Sequence, residues 1–118
     1  MVDDEYMLAD ILAEHLREKG IDAQAFQGPC EVLRERLHPP PHLLVSDVKL
    51  QPFTGIELAT RLRERSPNCR ILLFSGDPEA NHLLRPACFA GSDFKLLFGP
   101  ILLSELVAQI LHLIEGIL

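Results

Sequence analysis

The sequence predicts a single α/β domain built around a parallel β-sheet, because short apolar segments alternate with helical patterns along the chain. Three of the apolar segments cover residues 43–45, 71–74 and 94–98, the last of them broken only by Lys95. Such continuous apolar runs are typical of strands that are buried on both faces of a parallel sheet. The helical segments between them would supply the crossovers that parallel strands require. The 118 residues suffice for one such domain, which we expect to span residues 1–118.

The composition is that of an ordinary globular protein, with 47% apolar and 24% charged residues. The net charge of -6 argues against a nucleic-acid-binding surface on this domain, because phosphates require basic patches. The three cysteines are widely spaced, which excludes a CxxC zinc site and favours a reducing, cytoplasmic location. No apolar run approaches the ~20 residues of a membrane span, so we expect no membrane association.

The elements before the central strand are two helices and a weaker strand. Apolar residues recur at helical spacing over residues 6–19, and Gly20 supplies the stop. Residues 21–26 alternate weakly and could form a strand, and residues 28–37 predict a second helix. Only Met1-Val2 precedes the first acids. If the pattern begins with a strand, only these two residues of it remain, so we expect a misplaced start codon, a truncated first strand or an incomplete sheet.

The elements after the central strand are three helices and two strands. Residues 56–65 predict a helix, and Asp77-Pro78 is typical of a helix start. That helix would extend to about Ala90 and be irregular at Pro86. Residues 101–118 predict a closing helix, whose apolar stripe is broader than one sheet face needs. Two hypotheses follow: dimerisation through this helix, or a lost downstream domain. A monomer by light scattering at high concentration would count against the first.

Polar side chains follow three of the predicted strands, at Asp3-Asp4, Asp47 and Ser75. The carboxyl ends of parallel strands meet at one edge of a sheet, which is where ligands bind. Carboxylates are ligands suited to Mg²⁺, an aspartate can accept a phosphoryl group, and a serine can donate a hydrogen bond to it. Taken singly, the acids could serve the dipole of the following helix, and Asp47 and Ser75 could form turns. Their combination in this order favours a site.

Four short segments have the order and spacing of a known family: residues 2–5; Asp47 with Leu50, Pro52 and Gly55; residues 72–76; and residues 91–94 leading to Pro100. On these residues the chain resembles a response-regulator receiver domain of two-component signal transduction, with the loop proline displaced by one position. The resemblance implies a flavodoxin-like fold, a doubly wound sheet of five parallel strands in the order 2-1-3-4-5, whose first strand is apparently truncated here.

The resemblance also implies roles for the polar residues. Asp47 would be the phosphoacceptor, and Asp4, Asp47 and the backbone carbonyl of Lys49 would ligate Mg²⁺. Asp3 would hold a metal-bound water, and Ser75 would be the switch hydroxyl. The phosphoryl group would come from a partner histidine kinase or phosphotransfer protein. The domain would switch a protein–protein interaction and would not be an enzyme that turns over a free substrate.

The chain departs from the family at the end of the last predicted strand, where the family has a lysine before a proline. That position is Gly99 when the alignment is anchored on Pro100, and Phe98 when it is anchored on Gly91. Neither residue carries an ammonium group. Lys95 is four residues before Gly99, which is roughly 13 Å along an extended chain. The family's aromatic switch position would be Leu96.

Two alternatives remain open at this stage. The first is a pseudo-receiver that binds partners without phosphorylation, which the missing lysine and aromatic residue favour. If Asp47 is phosphorylated instead, Lys49 is the better substitute for the missing lysine on proximity, although a solvated loop lysine is its simpler interpretation. The second is a small flavodoxin-like enzyme or nucleotide-binding protein. The absence of a glycine-rich loop after any predicted strand disfavours it.

Overall fold

Three parallel strands form the centre of the computed structural model, which describes residues 2, 6–34, 41–75, 94–98 and 102–117. The elements in chain order are α1 (Tyr6–Glu18), α2 (Pro29–Arg34), β1 (Leu43–Asp47), α3 (Gly55–Arg65), β2 (Arg70–Ser75), β3 (Lys95–Phe98) and α4 (Leu103–Ile117). The strands lie in the order β1-β2-β3, with Val45 opposite Leu72 and Leu72 opposite Lys95. The predicted parallel α/β architecture is therefore confirmed.

The sheet separates two apolar clusters, which explains why its strands are continuous apolar runs. On one face, side chains of β1 and β2 pack with Val32 of α2 and with α3, which supplies Leu58. On the other face, Val45 and Leu72 pack against Leu12 of α1 and Ile110 of α4. Because both faces are covered, β2 is buried throughout from Ile71 to Ser75.

The first strand of the expected sheet is represented by Val2 alone among the described residues. Val2 forms parallel bridges to Phe26 and Ser46, so it lies between the segment at residue 26 and β1. Its amide donates to the Val45 carbonyl (2.9 Å), and its carbonyl accepts from the Asp47 amide (3.1 Å). The spatial order is the predicted 2-1-3-4-5, although the first two positions are bridges and five full strands are not formed in the described part of the chain.

One expectation about the amino-terminal half is not met. Residues 21–26 do not form a strand, and among the described residues their one bridge joins Phe26 to Val2. Ile11, one of the apolar residues at helical spacing in α1, is 42% exposed. The buried face of α1 is made by Ala9, Leu12, Ala13 and Leu16, and Ile11 lies beside that face.

The end of α1 follows the sequence prediction closely. Gly20 has φ of +85°, the left-handed conformation that a glycine adopts without a Cβ penalty. The Gly20 amide donates to Arg17 O (3.0 Å), and the Ile21 amide donates to Leu16 O (3.0 Å). These two bonds form a Schellman motif, which satisfies carbonyls at the end of the helix.

The remaining predictions are met in part. Cys69 is buried, whereas Cys30 is exposed, and both are free thiols. Within the described ranges no helix is long and apolar enough to cross a membrane. On the amino-terminal side of α4, Leu102 is 66% exposed, and dimerisation through this helix stays a prediction. The helix predicted from Asp77 and the positions Gly91 and Gly99 lie outside the described residues.

Candidate functional site

Asp47 and Ser75 end neighbouring strands at the carboxyl edge of the sheet. Asp47 is the last residue of β1, and its Cα lies opposite Phe74 of β2. Ser75 follows Phe74 directly and ends β2 with only 1% of its surface exposed. Adjacent strands lie about 4.8 Å apart, so the register places these two residues at one site, one step apart along the edge.

The backbone on both sides of the Asp47 carboxylate is held by hydrogen bonds from three directions. The Asp47 amide donates to the Val2 carbonyl (3.1 Å), and the Val48 amide donates to the Phe74 carbonyl (3.0 Å). The buried hydroxyl of Ser46 donates to the Asp47 carbonyl (2.8 Å). The carboxylate itself accepts at Oδ1 from the Lys49 amide (3.4 Å). These hydrogen bonds therefore fix the backbone of Asp47 at the end of β1, and its side chain is half-buried.

The loop that follows Asp47 ends at Gly55, which packs against the backbone of Asp47. The Gly55 amide donates to the Val48 carbonyl (2.8 Å), which brings the first turn of α3 against the end of β1. A Cβ atom on Gly55 would overlap the Asp47 carbonyl oxygen and lie 2.9 Å from Ser46 Oγ. Thr54 caps α3 by accepting the Glu57 amide (3.2 Å) at its Oγ1. The glycine therefore permits the close approach that shapes the site.

The cations near this edge differ in their distance from Asp47. Lys49 is two residues from Asp47 and is exposed. Lys95 pairs with Leu72, whereas Phe98 pairs with Ser75. Lys95 therefore lies three residues, or about 10 Å, from the carboxyl end of β3. Leu96, at the family's aromatic position, is half-buried against the cluster on the α3 face.

The predicted magnesium ligands are described only in part, because Asp3 and Asp4 lie outside the described residues. Within the described ranges no three His, Cys, Asp or Glu side chains come together as a metal site. The donors that are described at the edge, the Asp47 carboxylate and the Lys49 carbonyl, are oxygen atoms of the kind that Mg²⁺ binds. This donor chemistry fits Mg²⁺, which takes one or two carboxylates and keeps several waters.

Sequence reasoning identified Asp47, Ser75 and the Gly55 spacing, but it missed what holds Asp47 in place. Val2 was treated as the remainder of a lost strand, yet both of its backbone groups bond to β1. Ser46 follows the apolar run 43–45 and has no predicted role, yet its hydroxyl donates to the Asp47 carbonyl. The available signal for Ser46 was a lone hydroxyl at the end of a buried run, where a polar group requires a partner.

The fold and the site define an α/β domain with a doubly wound parallel sheet and a carboxylate at the ligand-binding edge. The model of the response regulator receiver domain family matches residues 1–110, so this chain belongs to that family. It is therefore a receiver domain of the kind found in the response regulators of two-component systems, which interact with histidine kinases or phosphotransfer proteins.

Curated relatives include whole proteins and single domains. The chain is 34% identical to the transcriptional activator protein ExaE of Pseudomonas putida over 94 residues, which are 78% of this chain and 44% of ExaE. It is 30% identical to the photosynthetic apparatus regulatory protein RegA of Cereibacter sphaeroides over 76 residues, 64% of this chain and 41% of RegA. It is 28% identical to the response regulator receiver protein CpdR of Brucella abortus over 110 residues, 93% of this chain and 90% of CpdR. The chain thus spans less than half the length of ExaE and RegA.

Solved structures support the fold. The CheY-like receiver domain protein of Methanospirillum hungatei JF-1 superposes with a TM-score of 0.75 at 21% identity, covering 98% of this chain and 90% of that one. The response regulator protein TrrA of Thermotoga maritima, solved in complex with Mg²⁺ and BeF, superposes with a TM-score of 0.73 at 21% identity, covering 95% and 94%. At this level of identity the likeness defines the fold alone.

Proposed function

We propose that Asp47 accepts a phosphoryl group and that this modification switches a protein–protein interaction. The observation that carries the proposal is the position of Asp47 at the carboxyl end of β1, beside Ser75 at the end of β2. A carboxylate oxygen can act as the nucleophile, and the Ser75 hydroxyl is of the right kind to donate to a phosphoryl oxygen. The hydrogen bonds around Asp47 hold its backbone rigid, which favours positioning of the attacking oxygen.

The phosphoryl donor in this proposal is a phosphohistidine of a partner kinase or phosphotransfer protein. An Asp47 carboxylate oxygen attacks phosphorus, the nitrogen–phosphorus bond breaks, and its electron pair returns to the histidine ring. The product is an acyl phosphate on Asp47 and an unmodified histidine on the partner. The domain assists its own modification and turns over no free substrate.

Magnesium would be held by the Asp47 carboxylate, the Lys49 carbonyl and the Asp4 carboxylate, with Asp3 on a bound water. Bound there, it would neutralise charge on the transferring phosphoryl oxygens. Val2 supports this assignment, because it bonds to β1 on either side of Ser46 and is followed directly in the chain by Asp3 and Asp4. This chain's own contribution is to fix the Asp47 backbone and to present oxygen donors at one edge.

The proposal predicts Mg²⁺-dependent binding of beryllofluoride, whose tetrahedral adduct with a carboxylate resembles a phosphoryl group. We expect saturable changes in the amide spectra around Lys49, Ser75 and Gly55 when fluoroberyllate is added with Mg²⁺ to the full chain. The Asp47→Asn variant should show none of them. The matched control is Asp22→Asn, which changes an exposed acid outside the site and should bind as the wild type does. Equal responses in the two variants would contradict the assignment of Asp47.

The second candidate is a receiver that binds its partner without phosphorylation. The observation that favours it is the register of β3, which places Lys95 opposite Leu72 and away from the carboxyl edge. An acyl phosphate at Asp47 would then rely on Mg²⁺, Lys49 or solvent for charge compensation, without a lysine from β3. A folded domain that shows no beryllofluoride response would favour this candidate.

A further inference from the structure

The side chain of Ser46, the residue before the proposed phosphoacceptor, carries a hydroxyl into the core. Ser46 is fully buried and belongs to the face of β1 that α3 covers, between Leu44 and Val48. Those two neighbours on the face are apolar, as residues packed beneath a helix usually are. A buried hydroxyl costs free energy unless it makes a hydrogen bond. The bond that the Ser46 hydroxyl makes therefore indicates what this side chain does.

The Ser46 hydroxyl holds one end of the peptide group that follows Asp47. Its Oγ donates to the Asp47 carbonyl (2.8 Å). The other end of the same peptide group is the Val48 amide, which donates to the Phe74 carbonyl of β2 (3.0 Å). Because a peptide group is planar, hydrogen bonds at both of its ends oppose its rotation. The Ser46 side chain and β2 together therefore fix how the chain continues after Asp47.

The orientation of this peptide group affects the donors at the carboxyl edge of the sheet. Its rotation is the ψ rotation of Asp47, and it leads to the backbone of Lys49 two residues later. The Lys49 amide in turn donates to Asp47 Oδ1 (3.4 Å), so the carboxylate is linked to the same stretch of backbone. Attack on phosphorus requires an aligned oxygen at about 3–3.5 Å. A peptide group that rotates would therefore misplace the attacking carboxylate.

Gly55 of α3 packs over the Ser46 hydroxyl, which limits what could replace it. A Cβ atom on Gly55 would lie 2.9 Å from Ser46 Oγ, so the helix backbone is already close. Removal of the hydroxyl would leave the space of one oxygen atom, which is smaller than a water molecule needs. The Asp47 carbonyl would then lose this donor without a replacement from solvent.

We propose that Ser46 is a positioning residue, whose hydroxyl orients the Asp47 peptide group for phosphoryl transfer. This inference rests on the proposed function of Asp47. It assigns to Ser46 no contact with the phosphoryl group, because the hydroxyl is buried beneath α3 and acts through the Asp47 backbone.

The test compares the rates at which the full chain and its Ser46→Ala variant gain a phosphoryl group from acetyl phosphate at saturating Mg²⁺. An Asp47 carboxylate oxygen attacks phosphorus, the phosphorus–oxygen bond of the donor breaks, and acetate leaves with the electron pair. We expect folded Ser46→Ala to react about tenfold more slowly, since one positioning hydrogen bond is lost. Its Val48 amide should also exchange with solvent deuterium about tenfold faster, because the peptide group is held at one end fewer.

Three further variants separate the hydrogen bond from the shape of the side chain and from stability. Ser46→Cys nearly keeps the shape of serine, but its thiol is a weak donor, so it should be slow like Ser46→Ala. Ser46→Thr keeps the hydroxyl and should react within about twofold of the wild type. Ile110→Val removes a buried methyl group on the opposite face of the sheet, so it should lower stability but leave the rate unchanged.

The other outcomes would overturn the inference. A wild-type rate in Ser46→Ala would do so, and a wild-type rate in Ser46→Cys would show that only the shape of the side chain matters. Equal slowing in Ile110→Val would assign the effect to stability. Unchanged exchange of the Val48 amide would show that the hydroxyl does not hold the peptide group. If Ser46→Thr does not fold, the comparison of Ser46→Cys with Ser46→Ala decides.

Failure of the inference and failure of the proposed function give different results. A folded wild-type chain that gains no phosphoryl group would contradict the proposed function, and the inference with it. A wild-type chain that is phosphorylated, together with an unchanged rate in Ser46→Ala, would contradict the role of Ser46 alone.

Discussion

Replacement of Gly55 by alanine is expected to lower the free energy of unfolding by about 3 kcal/mol, at the upper end of the usual cost of overpacking. The added methyl group would overlap the Asp47 carbonyl oxygen, which is backbone and cannot rotate away. Either α3 must shift from β1 and break the hydrogen bond from the Gly55 amide to Val48, or the end of β1 must move. Urea denaturation followed by circular dichroism measures the loss.

The matched control is Gly28→Ala. A Cβ on Gly28 would meet a single atom, the Gln51 carbonyl oxygen, at an ordinary distance of 3.8 Å. We expect a change within about 0.5 kcal/mol, as for a substitution that creates no clash. If Gly55→Ala unfolds at the same urea concentration as Gly28→Ala, that result would contradict the close contact between Gly55 of α3 and the Asp47 backbone.

The second large effect is expected from Val2→Asp, which should destabilise the domain by about 3 kcal/mol or more. Val2 is fully buried, packs in the cluster on the α3 face and lies between Phe26 and β1. A carboxylate there would lose its hydration among apolar side chains. Because small domains have about 5–15 kcal/mol of total stability, the variant would lose a large fraction of its stability and unfold at a markedly lower urea concentration.

Ile11→Asp is the control for this change, because it introduces the same charge in place of an apolar side chain that is already 42% exposed. We expect it to cost about 0.5 kcal/mol, chiefly from the lower helix propensity of aspartate. Thermal or urea unfolding of both variants tests the comparison. Equal stability of Val2→Asp and the wild type would show that the first strand position is not part of the core.

The sheet was predictable because a strand that is buried on both faces requires a continuous run of apolar residues. Runs such as 71–74 have no other simple interpretation, and the strand β2 extends one residue beyond that run at each end. The segment at residues 21–26 was not predictable in this way. Its weak alternation is compatible with a strand, but whether a strand forms depends on a partner strand, which the local sequence does not record. Within the described ranges its one bridge is from Phe26 to Val2.

The site was predictable where it depends on strand ends and was missed where it depends on tertiary hydrogen bonds. Asp47 and Ser75 follow apolar runs, so their position at one edge follows from parallel pairing. The bond from Ser46 Oγ to the Asp47 carbonyl and the bonds of Val2 to β1 depend on which backbone groups meet in space. The spacing of residues along the sequence does not predict such tertiary hydrogen bonds.

The most direct test of the central claim is the intact mass of the chain after incubation with a small phosphodonor and Mg²⁺. Wild-type protein and Asp47→Asn are compared, and circular dichroism establishes that both are folded. We predict a gain of one phosphoryl group on the wild type and none on Asp47→Asn. Folded wild-type protein that gains no phosphoryl group, or a gain that persists in Asp47→Asn, would contradict the assignment of Asp47 as the phosphoacceptor.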